Sequence, residues 1–215
     1  MMDVLIEKAL GQYKSHIIDH ATLSTIILNN KYTSVKDKIE YLKQKGIIST
    51  LKKGLYVHNS LYAKNIISKE IVANNMLSPS YVSLDYALYF YGIIPESVCD
   101  ITSVTTKRSK SFNTGYGVFS FTKLKKELFS IGIVIEACQN GNFMIATKEK
   151  ALCDKIYCTK DIQVASVSSM IDFLENDLRI DLDELKNFDI NIVSKYYEIS
   201  KSKKINSLQK VIKEF

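Results

Sequence analysis

Apolar residues recur at helical spacing from the start of the chain. Val4, Leu5, Ala9 and Leu10 form one stripe, and a second runs through residues 17–28. The polar turn Asn29-Asn30-Lys31-Tyr32 leads to Thr33 and Ser34, whose hydroxyls suit a helix N-cap. The helix that follows runs through Lys45, and Gly46 stops it. From Gly46 to Val57 the chain reads as two short β-branched strands around the basic turn at Lys52-Lys53-Gly54. Three helices closed by a basic-tipped hairpin predict a winged helix-turn-helix over residues 1–60, with a connecting helix at 61–76.

The pattern then changes. Residues 80–88 read as a strand end feeding a helix capped by Ser83, and Gly92 followed by Pro95 ends that helix. Strands are expected near 100–107, 117–123 and 131–137, with a hairpin at Asn140-Gly141-Asn142. A strand at 143–147 runs into a helix that starts near Lys148, capped by Thr147. The fold class is therefore α+β, with a mixed α+β core of antiparallel strands at 77–160. After residue 161, apolar positions such as Met170, Leu174, Leu185, Val193, Tyr196 and Leu208 recur at helical spacing, predicting three or four helices that cover the sheet or offer a dimer face.

On a helical wheel for residues 34–45, Val35, Ile39 and Leu42 point inward, while Asp37, Glu40, Tyr41 and Gln44 lie opposite, with Thr33 and Ser34 at the N-terminal end. Lys36 and Lys43 flank one edge of that face and Lys38 and Lys45 the other. A helix in the DNA major groove needs polar groups at its centre for base edges and cations on its margins for phosphates. Lys52 and Lys53 at the wing would add phosphate contacts. The same lysines also fit any solvated amphipathic helix, and Asp37 and Glu40 would repel phosphate.

Composition narrows the classes. The chain has 215 residues, 46% of them hydrophobic and 24% charged, an ordinary balance for a folded protein. No apolar run approaches the roughly 18 residues a membrane span needs. Asp3 and Glu7 interrupt any signal-peptide reading, so a cytoplasmic protein is expected. The formal net charge is +6. The first 75 residues hold eleven basic and six acidic side chains, whereas residues 161–215 hold eight and ten. The positive excess thus sits with the expected DNA-binding unit.

Catalytic signals are weak. Asp181-x-Asp183 lacks the preceding Gly-Ser turn of a nucleotidyltransferase and reads as a solvated helix start. His16 and His20, four apart, lack the three or four convergent ligands that a metal site needs. Cys99, Cys138, Cys153 and Cys158 form no C-x-x-C pair and read as reduced thiols. A non-enzymatic protein without cofactor is expected. Lys107, Arg108 and Lys110 form the best candidate for an electropositive contact surface, facing nucleic acid or an acidic protein. Lys150 and Asp154, four apart, are spaced to pair with each other.

Several stretches carry a resemblance. They are Lys53-Gly54-Leu55-Tyr56-Val57, Pro79-Ser80-Tyr81-Val82-Ser83-Leu84-Asp85-Tyr86-Ala87-Leu88 and Tyr91-Gly92-Ile93-Ile94-Pro95-Glu96. Further on come Thr102-Ser103-Val104-Thr105-Thr106-Lys107-Arg108 and Ile145-Ala146-Thr147-Lys148-Glu149-Lys150-Ala151-Leu152-Cys153-Asp154. In this order and spacing, over about residues 30–160, the chain resembles the antitoxin of AbiE abortive-infection systems, which are type IV toxin–antitoxin pairs. Lys148 stands where many members carry Pro, and the last 55 residues match only as a helical tail. The resemblance implies a winged helix that binds inverted repeats in double-stranded operator DNA and represses its own operon. It also implies a C-terminal part that neutralises a nucleotidyltransferase-type toxin, without a stable complex between the two. For that antitoxin surface the candidates are Lys107, Arg108, Lys110 and Lys150. The protein would act as a monomer or homodimer. A stand-alone winged-helix regulator without a toxin partner is the alternative.

Overall fold

The computed structural model describes residues 2–59, 67–164 and 166–214. The chain begins with α1 (Met2–Leu10), β1 (Ile17–Asp19), α2 (His20–Asn29) and α3 (Val35–Gln44), followed by β2 (Ile48–Lys52) and β3 (Leu55–His58). The three strands form an antiparallel sheet in the order β1-β3-β2. Ile17–Asp19, expected as the start of a helix, is a strand paired to β3, and Asp19 caps α2 by accepting a hydrogen bond from the Thr22 amide at 2.8 Å. The inward stripe of α1 is Ile6 and Leu10, whereas Val4 and Leu5 are exposed.

The alternation of β1 and β3 explains how the two halves of the chain are joined. Ile18 and Tyr56 face a small core with Ile6, Leu10, Leu23, Ile27, Ile39 and Leu42. Their neighbours Ile17, Leu55 and Val57 point to the other face, where they enter the main core of the molecule. Both faces of the small sheet are therefore covered by apolar side chains.

Of the connecting helix expected at 61–76, residues 61–66 lie outside the described residues. From there on the order is α4 (Lys69–Met76), β4 (Ser80–Val82), α5 (Leu84–Phe90), β5 (Ile101–Thr105), β6 (Lys110–Thr114), β7 (Gly117–Lys123) and α6 (Lys126–Phe129). Then come β8 (Ile133–Cys138), β9 (Gly141–Ala146) and α7 (Lys148–Cys158). The strands form one six-stranded sheet, ordered β6-β7-β5-β4-β9-β8. This sheet is mixed and not antiparallel throughout, because β4 runs parallel to β9 and β5 parallel to β7. Among the described residues of the C-terminal region are α8 (Val167–Asp172), a π-helical turn at Phe173–Asp177, a 3-10 turn at Leu182–Asn187, α9 (Ile190–Ser200) and α10 (Lys203–Glu214). Met170, Leu174, Val193, Tyr196 and Leu208 from these segments share the main core with the sheet.

One turn shows how tight that core is. Gly132, between α6 and β8, has φ +57, and its carbonyl accepts the Thr147 amide at 2.8 Å. A Cβ here would lie 2.9 Å from Lys150 Cβ and 3.1 Å from Ile192 Cγ2. Gly132→Ala therefore combines left-handed strain with overpacking, and a loss of about 2–3 kcal/mol of unfolding free energy is expected, read as a lower urea midpoint. A midpoint equal to the parent's would show that α9 yields at Ile192.

Candidate nucleic-acid interface

Helix α3 starts where the sequence places it. Ser34 Oγ accepts the Asp37 amide at 3.4 Å and donates to Asp37 Oδ2 at 2.6 Å. Ile39 and Leu42 are buried, and Lys36, Asp37, Glu40, Tyr41, Lys43 and Gln44 are exposed, as are Thr33 and Ser34. Ser34 and Asp37 are thus engaged with each other at the helix start. Asp37 sits in the first turn of the helix, where the N-terminal dipole favours a negative charge.

Lys38 departs from the expected arrangement. Its residue is 7% exposed, with Nζ 4.1 Å from the Tyr32 ring centroid and 4.2 Å from that of Tyr41. Two aromatic faces cover the ammonium, so Lys38 braces the turn between α2 and α3 and is not a cation on the helix margin. Lys36 and Lys43 remain on the other margin, with Lys43 bridging to Glu40 at 3.0 Å.

Across from that margin lies the β2–β3 hairpin. Helix α3 and the hairpin enclose an open cleft of about 430 Å³. Lys36, Lys43 and Lys53 stand around it, together with Glu40, and His20 and Tyr56 form part of its lining. The Tyr56 hydroxyl lies 3.4 Å from His20 Nδ1, joining the start of α2 to β3. Sequence reading missed His20 and Tyr56 as parts of this cleft. They are 36 positions apart, and Tyr56 reads as an ordinary strand residue.

Lys53 is exposed on the hairpin turn, beside Gly54 at φ +81. Lys52 is not at the tip in the sense expected. It is half-buried, and its Nζ donates to the Met76 carbonyl at 2.5 Å, tying the hairpin to the end of α4. Burial, and after it the charges of Lys110 and Lys107, hold its ammonium below the usual lysine value.

Lys107 and Arg108 are exposed on the loop into β6, and Lys110 is exposed at the strand's start. Lys150 is not part of any surface: it is 0% exposed. Its ammonium donates to Asp154 Oδ1 at 2.7 Å and to the Leu128 carbonyl at 2.9 Å. Asp154, also fully buried, accepts from the hydroxyls of Tyr81 at 2.9 Å, Ser83 at 2.9 Å and Tyr196 at 3.0 Å. Burial, with the Asp154 charge and hydrogen bond adding to it, raises the pKa of both tyrosines, which keeps them as donors. Ser83 therefore does not cap α5 through its side chain, whereas Thr147 does cap α7.

A second cleft, of about 440 Å³, opens near the start of α7. It carries Glu136, Glu149 and Glu184 against Lys148. Burial, followed by the charges of Glu136 and Glu149, pushes the Tyr91 hydroxyl up to about 12. A carboxylate-rich cleft repels a polyanion, whereas the cleft between α3 and the hairpin carries Lys36, Lys43 and Lys53 with a single carboxylate, Glu40. No group of three or more His, Cys, Asp or Glu side chains among the described residues is placed to hold a metal ion. No helix among them is long and apolar enough to cross a membrane. Neither the protein-family models nor the curated proteins yield a match to this chain.

Proposed function

We propose that the chain is a winged-helix, DNA-binding autorepressor that also serves as the antitoxin of an AbiE-like toxin–antitoxin pair. The carrying observation is the exposed face of α3 set across a cleft from a hairpin turn, with Lys36, Lys43 and Lys53 around that cleft. The order α1-β1-α2-α3-β2-β3 supports the same reading. In it, α3 enters the major groove and presents Tyr41 and Gln44 to base edges, while Lys36, Lys43 and Lys53 meet phosphates. Repression follows from occupancy of the promoter. The antitoxin role rests on the resemblance of the ordered stretches between residues 53 and 154. The partners are double-stranded operator DNA and a nucleotidyltransferase-type toxin encoded next door.

Two measurements test this reading. Full-length protein should bind duplex DNA from upstream of its own gene more tightly than a shuffled duplex, with affinity falling steeply as salt rises. Expression of the neighbouring gene alone should arrest growth, and co-expression of this chain should restore it. Sequence-selective binding without any toxicity to relieve would leave a stand-alone regulator. Absence of selective binding would remove the repressor reading.

The rescue experiment requires the full chain. A fragment starting at residue 77 would expose the main core where Ile17, Leu51, Leu55 and Val57 now close it.

A further inference from the structure

We propose that the outer edge of β8 is a homodimer interface, at which β8 pairs antiparallel with β8 of a second copy of the chain about a two-fold axis at Ile135.

The six-stranded sheet ends in β6 on one side and in β8 on the other, and the two edges differ in kind. Along β6 the exposed residues are Lys110, Ser111 and Asn113. Strand β8, Ile-Val-Ile-Glu-Ala-Cys, carries neither lysine nor proline, and Glu136 is its one charge. A sheet edge without such guards recruits a further strand. Ile135 is 70% exposed in the middle of β8, and its register partner Met144 on β9 is 38% exposed.

The hydrogen bonds of β9 fix which backbone groups of β8 face outward. The Met144 amide donates to Asn74 Oδ1 at 2.6 Å, and the Met144 carbonyl accepts from Asn74 Nδ2 at 3.3 Å. Met144 thus turns both groups away from β8. Opposed residues of an antiparallel pair exchange both bonds or neither, so Ile135 turns its own groups away from β9. The same alternation appears at the strand's start, where the Thr147 amide donates to the Gly132 carbonyl at 2.8 Å. Val134, Glu136 and Cys138 therefore bond inward to β9, while Ile133, Ile135 and Ala137 present their amides and carbonyls outward. Among the described residues no strand pairs with that outer side.

A two-fold interface must be complementary to itself, and β8 is. With the axis at Ile135, the two Ile135 residues face each other, and Ile133 faces Ala137 of the second copy on either side. All the outward amides and carbonyls then find partners. Glu136 faces Val134 of the second copy. An axis at Glu136 would set two carboxylates directly opposite, and an axis at Val134 would carry Ala137 beyond the end of the facing strand. The chosen register also lays Met144 and Ile135 of one copy beside Ile135 and Met144 of the other, so the exposed apolar pair is covered by its own equivalent. A strand from another protein could take the backbone bonds, but the match in charge and in apolar side chains is one that β8 makes with itself.

The interface is small. Stable complexes bury about 1,200–2,000 Å², more than one six-residue strand pair supplies, so the dimer is weak and forms at about micromolar concentrations and above.

The test is sedimentation equilibrium of the full-length protein over about 1–400 µM, beside the Ile135→Lys variant. The parent's weight-average mass should climb from the monomer's toward twice that value. Ile135→Lys places two ammonium groups at the axis and should weaken the dimer at least about tenfold, with an unchanged melt because the side chain is exposed. Amide hydrogen exchange of the parent, followed residue by residue by NMR at both ends of that range, reads the register without any substitution. The amides of Ile133, Ile135 and Ala137 should gain protection at high concentration, while those of Val134 and Glu136, already bonded to β9, should not change. A parent that stays at the monomer's mass overturns the proposal and leaves the edge to a strand from another protein. A dimer of parental strength in Ile135→Lys, or protection at Ile133, Ile135 and Ala137 that does not depend on concentration, overturns it in favour of another face.

Discussion

Asp154→Ala is expected to lower the stability of the fold by about 3–5 kcal/mol, the cost of leaving a buried charge without its partner. The carboxylate holds four donors: the Lys150 ammonium and the hydroxyls of Tyr81, Ser83 and Tyr196. Removing it leaves Lys150 with the Leu128 carbonyl as its remaining hydrogen-bond acceptor, and the side chain is 0% exposed, so water does not substitute. The three hydroxyls lose their acceptor in the same step. Because these donors come from β4, the start of α5, α7 and α9, the loss reaches every layer of the large core at once. For a chain of 215 residues the melting temperature should fall by about 10 °C or more.

The isosteric Asp154→Asn variant separates charge from shape. Its amide oxygen can still accept from Lys150 and Tyr196, and its NH2 can donate to the Tyr81 and Ser83 hydroxyls once these turn to accept, so the loss that remains is that of the charge opposite the Lys150 ammonium. Adding Lys150→Met removes the buried cation, and the double variant should recover part of it. An Asp154→Asn melt within about 1 kcal/mol of the parent would show that the network does not depend on an ionised carboxylate.

The pair itself was legible in the sequence, because Lys150 and Asp154 stand four apart on a helix. Its burial was not. The groups that make burial tolerable lie 73, 71 and 42 positions from Asp154, and nothing local to α7 announces them. Lys38 presents the same problem on a smaller scale. Its place on the wheel reads as a margin, and only the position of Tyr32 in the turn before α3 converts it to a covered cation.

Elements fixed by local chemistry were read well. The Ser34 and Thr147 caps, the helix stop at Gly46 and the hairpin around Lys53-Gly54 each depend on one or two residues with distinct backbone preferences. Strands fixed by pairing alone were harder. Ile17–Asp19 has no alternation to distinguish it from the start of α2 and is a strand because β3 lies beside it. Strand β6, Lys-Ser-Phe-Asn-Thr, is an edge strand whose polar residues protect it from further pairing, and they also hide it from a hydrophobicity pattern. The parallel partners of β4 and β5 are set by chain topology, which no local signal carries.

The second large effect concerns the interface. The Lys36→Gln/Lys43→Gln/Lys53→Gln variant should lose about three units from the salt slope of DNA binding, since each phosphate contact contributes about 0.9. At roughly 0.1 M salt each contact is then worth about eightfold in affinity, so the variant should bind about 500-fold more weakly. All three side chains are exposed, and among the described residues Lys43 alone of the three has a bridging partner, Glu40, so the melt should barely move. Growth rescue should persist in the same variant if antitoxicity is separate from operator binding, and fail if it requires DNA.

Lys52 supplies the internal control. Although it precedes Lys53 by one residue, its ammonium is committed to the Met76 carbonyl. Lys52→Ala should therefore cost stability at the join between hairpin and α4 while leaving the salt slope within about half a unit of the parent. If Lys52→Ala removed a full unit and the triple variant none, the duplex would not run over α3 and the Lys53 turn, and the winged-helix reading would fail on geometry while the charge of the region still stood.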